Sequence, residues 1–277
     1  NATNGFRLST FVGSRRISFG NLEVNTTGGT NRQVTMASNI GFNGNVTIEP
    51  SSEVVFGTSY VAGNIVNNGT FTSTAVLGLA SYTDGTVSAT TNAQTIGGTG
   101  VYRNSAATPT ASLTSLTANN TNATGVTLNI PLSVSGTLTM TSGIINTTNA
   151  NLLTLGTATA GGTLAGTPSA TSMVRGPFAR TISNGNANTN YLLFPVGKVA
   201  YAPIWAAPAT TAATVMKAET FDTNTGTQSA AITNMATNRR WELPLVSGTI
   251  TDINVRVGDA GILATSIPVQ APSASAE

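Results

Sequence analysis

Apolar and polar side chains alternate along residues 126–156, and the alternation is cut every few residues by Ser-Gly or Asn. Val126, Leu128, Ile130, Leu132, Val134, Leu138 and Met140 stand on one side of the pattern, with Thr, Ser and Asn between them. A period of two sends successive side chains to opposite faces of an extended strand. The breaks at Ser135-Gly136, Ser142-Gly143 and the Asn-rich 146–151 turn the chain and leave no room for a helix. Short strands joined by tight breaks predict coiled β-structure.

The unit recurs. Gly20-Asn21-Leu22-Glu23-Val24 is followed by Gly44-Asn45-Val46-Thr47-Ile48, then by Gly63-Asn64-Ile65-Val66. Looser copies begin at Gly85, Gly98, Leu113, Gly136 and Gly162. A Gly-Asn/Thr-apolar-x-apolar unit at this irregular period marks stacked supersecondary units, each burying its apolar face against its neighbours. Stacked strands pair in parallel, and crossovers between parallel strands are right-handed by default. The expected fold is all-β: a right-handed parallel β-helix, or β-solenoid, over residues 1–172, of roughly seven or eight coils at about 4.8 Å each. Asn at the corners (Asn21, Asn45, Asn64, Asn67, Asn68) suits left-handed turns and allows ladders from coil to coil.

Composition changes near Met173. Residues 104–174 carry no charge, whereas Arg175, Arg180, Lys198, Lys217 and Glu219 come soon after, with both tryptophans. Residues 215–221, 240–245 and 250–257 read as longer, antiparallel strands. A connecting strand over 173–182 and a β-sandwich over 183–277 are therefore expected, the sandwich covering the last coil.

Function classes narrow by exclusion. With no His and no Cys, intrachain Ser-His and Cys-His nucleophile systems, thiolate metal sites and disulfides are ruled out. Only 8 % of residues are charged and the net charge is +2, so nucleic acid is not an expected partner. No apolar run reaches the ~20 residues that span a bilayer. Glu49 and Glu53 flank a Pro-Ser-Ser turn and read as solvated. Gly97-Gly98-Thr99-Gly100 and Val196-Gly197-Lys198 lack the strand–loop–helix context of phosphate-binding loops and read as turns. Asp84 and Asp259 lack the clustered oxygens that calcium requires. No catalytic residue, cofactor or metal is expected.

Two constellations remain. Arg239, Arg240 and Trp241 offer cations and an indole to a surface glycan, although Trp241 in the sandwich core with the arginines at a strand start is the favoured reading. Phe6, Phe11 and Phe19 mark an apolar end with no obvious cap, where a preceding domain or another copy would dock. Thr137, Thr139 and Thr141 put hydroxyls on one strand face, as do Thr70 and Thr72, without the fixed repeat of an ice-binding ladder.

Residues 19–24, 44–48, 67–71 and 136–145 resemble repeats of large secreted surface proteins of Bacteroidota, adhesins exported by the type IX secretion system among them. The segments 174–182, 194–198 and 201–204 are similar to the region beyond the coils in those proteins. The family's C-terminal sorting domain is not evident, which implies a piece of a longer chain or a processed chain. The resemblance implies a secreted, cell-surface, non-enzymatic module for display, adhesion or fibre assembly. The alternatives are a polysaccharide-binding or polysaccharide-cleaving β-helix and an ice-binding solenoid.

Overall fold

The computed structural model describes residues 7–8, 17–26, 33–36, 39–105, 111–223 and 239–258. Among them there is no helix, and hence none long and apolar enough to cross a membrane. Phe6, Phe11, Arg15, Arg16 and Asp259 lie outside the described residues.

Up to Val126–Leu128 the chain visits three walls in a fixed order and then starts again. Beyond it, among the described residues, strands join only the second and third walls until the antiparallel part begins. One circuit runs through Gln33–Met36, Ile40–Phe42 and Val46–Ile48; the next through Glu53–Phe56, Ser59–Val61 and Ile65–Asn67. Each strand pairs in parallel with its counterpart one circuit on, which is the pairing of a β-solenoid. The first wall has five strands and ends at Val101–Arg103; the third has eight and ends at Val196–Gly197. Parallel partners are unevenly spaced in sequence, from 17 residues (Thr70 over Glu53) to 39 (Ser115 over Val76).

Inside, the alternation yields columns. Phe19, Phe42, Phe56, Phe71 and Tyr102 form a chain of rings with centroids 4.9 to 5.8 Å apart. Leu77, Leu116, Leu138 and Leu164 stack in register on the second wall. Val126, Ile145, Val174 and Val196 do so on the third.

The corner between the second and third walls explains the Gly-Asn motif. The Asn21 carboxamide oxygen accepts the backbone N–H of Asn45 (2.7 Å), that of Asn45 accepts the N–H of Asn64 (2.8 Å), and that of Asn64 accepts the N–H of Thr95 (2.8 Å). The preceding glycines let the coils approach this closely. A Cβ on Gly44 would sit 2.2 Å from the Asn21 side-chain oxygen, and one on Gly63 would sit 2.5 Å from the Gly44 backbone. Deeper in the same corner, the buried Gln94 amide donates to the carbonyls of Val61 and Gly63, both at 2.9 Å. Asn120 in turn donates to the Gln94 side-chain oxygen at 2.8 Å. The ladder that the corner asparagines permitted is thus formed, and extended by a glutamine.

Two elements of the coils differ from the sequence reading, and beyond the coils residues 240–245, expected as one strand, are divided between Arg240–Glu242 and Leu245–Ser247. Ser135-Gly136 is not a break between strands, because Leu132–Ser142 is one continuous strand. Leu113 pairs with Val134 while Ser115 pairs with Thr137, so the extra residue is absorbed as a bulge. Gly136 lies there because a Cβ would approach the Thr114 carbonyl to 2.7 Å. The second difference is a hairpin, Ser81–Thr83 with Thr86–Ser88, inserted between the second and third walls. Its two-residue turn, Asp84-Gly85, has φ of 48° and 88°, as a type I′ turn requires. The hairpin folds back over Gly41, and Tyr82 stacks on Tyr60 with centroids 4.9 Å apart and planes 7° apart.

On the second wall parallel pairing gives way to antiparallel pairing after Phe178–Ile182, which pairs with Thr214–Phe221, while the third wall stays parallel to Val196–Gly197. A second antiparallel sheet is built from Leu192–Phe194, Ile204–Thr210 and Ile250–Val257. Phe178, Met216 and Ala218 of the first layer share one apolar core with Phe194, Ile204 and Ala206 of the second. Arg180 points into this junction, 5 % exposed, donating to the carbonyls of Leu193 (2.7 Å) and Gly162 (3.1 Å).

Candidate functional site

Six charged side chains gather at one place. Thr214–Phe221 and Arg240–Glu242 pair antiparallel, with Phe221 opposite Arg240 and Thr220 opposite Trp241. The Arg240 guanidinium lies 3.8 Å from the Phe221 ring centroid and the Lys198 ammonium 5.3 Å from it. Each cation also meets a carboxylate: Lys198 pairs with Glu219 at 2.6 Å, Arg240 with Glu242 at 3.0 Å, and Arg239 with Asp222. The sequence-predicted glycan residues are therefore brought together, but as a neutralised ion-pair and cation–π cluster. Trp241 is turned inward, packed on the core, with its indole N–H donating to the Ala202 carbonyl at 3.1 Å.

At the N-terminal end, Ile17, Phe19 and Leu22 are half-buried, while Ile40, Phe42 and Val46 one circuit on are at most 1 % exposed. The apolar cross-section is thus less covered at Phe19 than inside the stack. Of the carboxylates in the coils, Glu53 accepts the Thr72 hydroxyl at 3.3 Å. Gly98 and Gly100 pack against the Asn67–Gly69 backbone below them, and Lys198 comes directly after the last strand of the third wall. Among the described residues no three His, Cys, Asp or Glu side chains cluster as metal ligands would.

On the second wall, Leu113–Asn119, Leu132–Ser142 and Thr163–Gly166 present a charge-free patch of hydroxyls on their outward face. Ser115, Thr137 and Thr163 stand in register, as do Thr117 and Thr139, until Ala165 interrupts the second row. Thr70 and Thr72 belong to the first wall, and Thr72 is buried. Further along the same wall, a shallow groove involves Ser112, Ser133, Thr154 and Thr181. The sequence reading missed this groove, because its residues come from five separate stretches and meet only through register. The one local signal was the outward phase of Ser133 in the 132–134 alternation.

Titration follows burial. Burial pushes the Tyr102 phenol well above its ordinary range, raises Tyr201 to about 12, and lowers Arg180 to about 10. In the unfolded chain both tyrosines ionise near pH ~10. Their stabilising contribution is therefore whole below that pH and is lost as pH rises above it, since the folded chain holds its protons longer. Arg180, with its depressed value, acts in the opposite sense over the alkaline range, but one group against two does not reverse the trend. Urea denaturation is expected to give constant stability to about pH 9 and a steady fall above about pH 10. Tyr102→Phe should flatten that fall. It also removes a buried hydroxyl that has no hydrogen-bond partner, so its stability at neutral pH should be unchanged or raised by about 1 kcal/mol. An unaltered alkaline slope in this variant would show that Tyr102 is not the titrating group.

Comparison with protein-family models, with curated proteins and with solved structures finds no match to this chain.

Proposed function

We propose that the chain is a non-enzymatic, secreted structural module: a right-handed β-helical stalk, closed at one end by a sandwich-like cap, that displays or spaces adhesive domains at a cell surface. The observation that carries this reading is the use of the interior for coil-to-coil contact. The aromatic and leucine columns and the Asn ladder all run along the stack, and at about 4.8 Å per rung eight third-wall strands make a rod of about 34 Å. Right-handedness rests on the general rule for parallel crossovers. The cap rests on the two antiparallel layers that share a core around Phe178 and Phe194. The N-terminal end, where Phe19 is less covered, is where a preceding domain or the next copy docks, giving a contact that propagates rather than closes. The alternative of a polysaccharide-acting β-helix would need a cleft that concentrates charge, and the six charged side chains that gather around Phe221 neutralise one another.

Single-molecule pulling on the full chain tests the stalk. Repeat stacks are held by nearest-neighbour contacts, so extension is expected in successive steps that each release one circuit, between 17 and 39 residues. Release of new reducing ends from a polysaccharide panel by the purified chain would overturn the non-enzymatic reading. Collapse of the whole stack in a single step at low force would overturn the stalk.

A further inference from the structure

Ile250–Val257 is the last strand of its sheet among the described residues, with Ile204–Thr210 on one side and no strand on the other. Its pairing shows which backbone groups the free edge offers. Ile253 stands opposite Pro208, which has no N–H to give, and the Ile253 N–H donates instead to the Asp252 carboxylate at 2.8 Å. Bonding alternates along an antiparallel pair, so Ile253, Val255 and Val257 turn their N–H and C=O groups to the free edge. The side chains alternate as well. Val257 lies opposite Ile204 and Val255 opposite Ala206, both core positions. Val255 is nevertheless 45 % exposed, because no strand beyond it closes the rim. Asp252, Asn254 and Arg256 occupy the other face, all exposed.

We propose that a second copy of this chain docks at this edge, its own Ile250–Val257 strand pairing antiparallel about a twofold axis at Asn254. The strand is complementary to its own reverse. With Asn254 opposite Asn254 of the second copy, Asp252 meets Arg256 of the second copy, and Arg256 meets Asp252 of the second copy. On the core side Ile253 meets Val255 of the second copy, and the reverse, which covers the exposed valine. The backbone agrees with this register. Ile253 and Val255 both offer their groups to the edge, so each such pair exchanges two N–H···O=C bonds. The Ile253 N–H thereby passes from Asp252 to a carbonyl, and the released carboxylate is free for an arginine. Arg256 lies 3.8 Å from the Tyr191 ring centroid and has no carboxylate partner among the described residues. Sliding by two residues either way keeps the backbone pairing but loses both ion pairs. Charges that merely protect an edge repel an incoming strand; opposite signs placed evenly about one residue attract a copy. One edge of this length buries less than the ~1,200 Å² of a standard interface, so the dimer is expected to be weak, in the micromolar-to-millimolar range. The contact closes on itself, goes beyond the stalk reading and does not depend on it.

The test uses the full chain, which has no cysteine of its own. Asn254→Cys places a thiol on the axis, in a non-hydrogen-bonded pair whose Cα atoms, about 4.5 Å apart, are within disulfide reach. Mild oxidation is expected to give a disulfide dimer. Asp252→Cys, whose thiol would face position 256 of the second copy, should give at least about tenfold less. Sedimentation equilibrium over a concentration series measures the contact without cross-linking. Arg256→Asp should weaken dimerisation about tenfold or more, since the twofold sets like charges together at two places. Adding Asp252→Arg to it should restore the affinity to within about threefold, the ion pairs being re-formed in reverse. Val255→Pro removes an N–H that serves only the free edge, and should abolish the dimer. Melting curves establish that each variant is folded. A monomer throughout the series, equal cross-linking from positions 252 and 254, or a dimer indifferent to Arg256→Asp and Val255→Pro would each overturn the proposal. Closed dimers are the signature of this edge and open-ended filaments that of the N-terminal contact, so the two readings fail separately.

Discussion

Leu138→Asp is expected to abolish folding, whereas Thr139→Asp, one position along the same strand, is expected to leave a folded chain. Leu138 is fully buried and sits in the column between Leu116 and Leu164. Truncating a buried leucine costs about 2–5 kcal/mol through lost transfer energy and the cavity left behind. An unpaired carboxylate in the same place adds several kcal/mol more, or must take up a proton to remain. The sum approaches the whole stability of a typical domain, about 5–15 kcal/mol. Thr139 lies on the outward face between Thr117 and Ala165, half-exposed and with no charge nearby to repel it. Its replacement should cost no more than about 1 kcal/mol, the range of strand propensity. Circular dichroism and urea denaturation of the two variants decide the matter. Similar losses in both would mean that the inner and outer faces of this strand are wrongly assigned.

A comparably large loss is expected from a far smaller change, Gly98→Ala. Gly98 has φ of +109°, a region that L-residues avoid, and a Cβ there would lie 2.0 Å from the Asn67 carbonyl oxygen. That carbonyl cannot move aside, because it accepts the Gly100 N–H at 2.7 Å. The fully buried Asn67 side chain is itself fixed, donating to the Val101 carbonyl at 2.9 Å and accepting the Gly69 N–H at 3.1 Å. Backbone strain of about 1–3 kcal/mol and overpacking of about 1–3 kcal/mol therefore act together, with no soft neighbour to absorb either. Gly20→Ala is the contrast: a Cβ there meets nothing within 4 Å, and the backbone is not left-handed. That substitution should be neutral or stabilise by about 0.4–1 kcal/mol through the unfolded chain. Equal effects on the thermal midpoint would show that the turn at Gly98 is looser than the close approach implies.

The period-two alternation was legible because it is a local property. Leu132, Val134, Leu138 and Met140 all point inward, as their phase required. The Gly-Asn corners were legible for the same reason, since the glycine and the carboxamide are adjacent in the chain. Register was not. Nothing in Ser135-Gly136 distinguishes a turn from a bulge, because the deciding contact is with Thr114 on the neighbouring coil. Nor could the sequence show that Tyr82 would fold back over Gly41, which depends on a glycine some forty residues earlier. In the C-terminal part, strands over 215–221 and 250–257 were recognisable from composition, but Ile204–Thr210 finds one of its partners in Ile250–Val257, across a long excursion. The hydroxyl groove is the extreme case: its residues are ordinary singly and meet only when the rungs are laid side by side.

The uneven circuits have a consequence for how such a chain can change its length. Closing a flexible loop costs entropy that grows only with the logarithm of its length, about 0.6 kcal/mol for each doubling. The shortest and longest circuits, 17 and 39 residues, differ by little more than one doubling. A segment inserted at a corner therefore leaves the registered columns as they were, provided that its own side chains are accommodated outside. The hairpin between Leu79 and Gln94 shows such an addition already in place, anchored by reciprocal bonds between the Asn43 side chain and the Tyr82 backbone, both at 3.1 Å. Length polymorphism in this architecture belongs at the corners: the rungs keep their geometry while the surface between them is free to be rewritten.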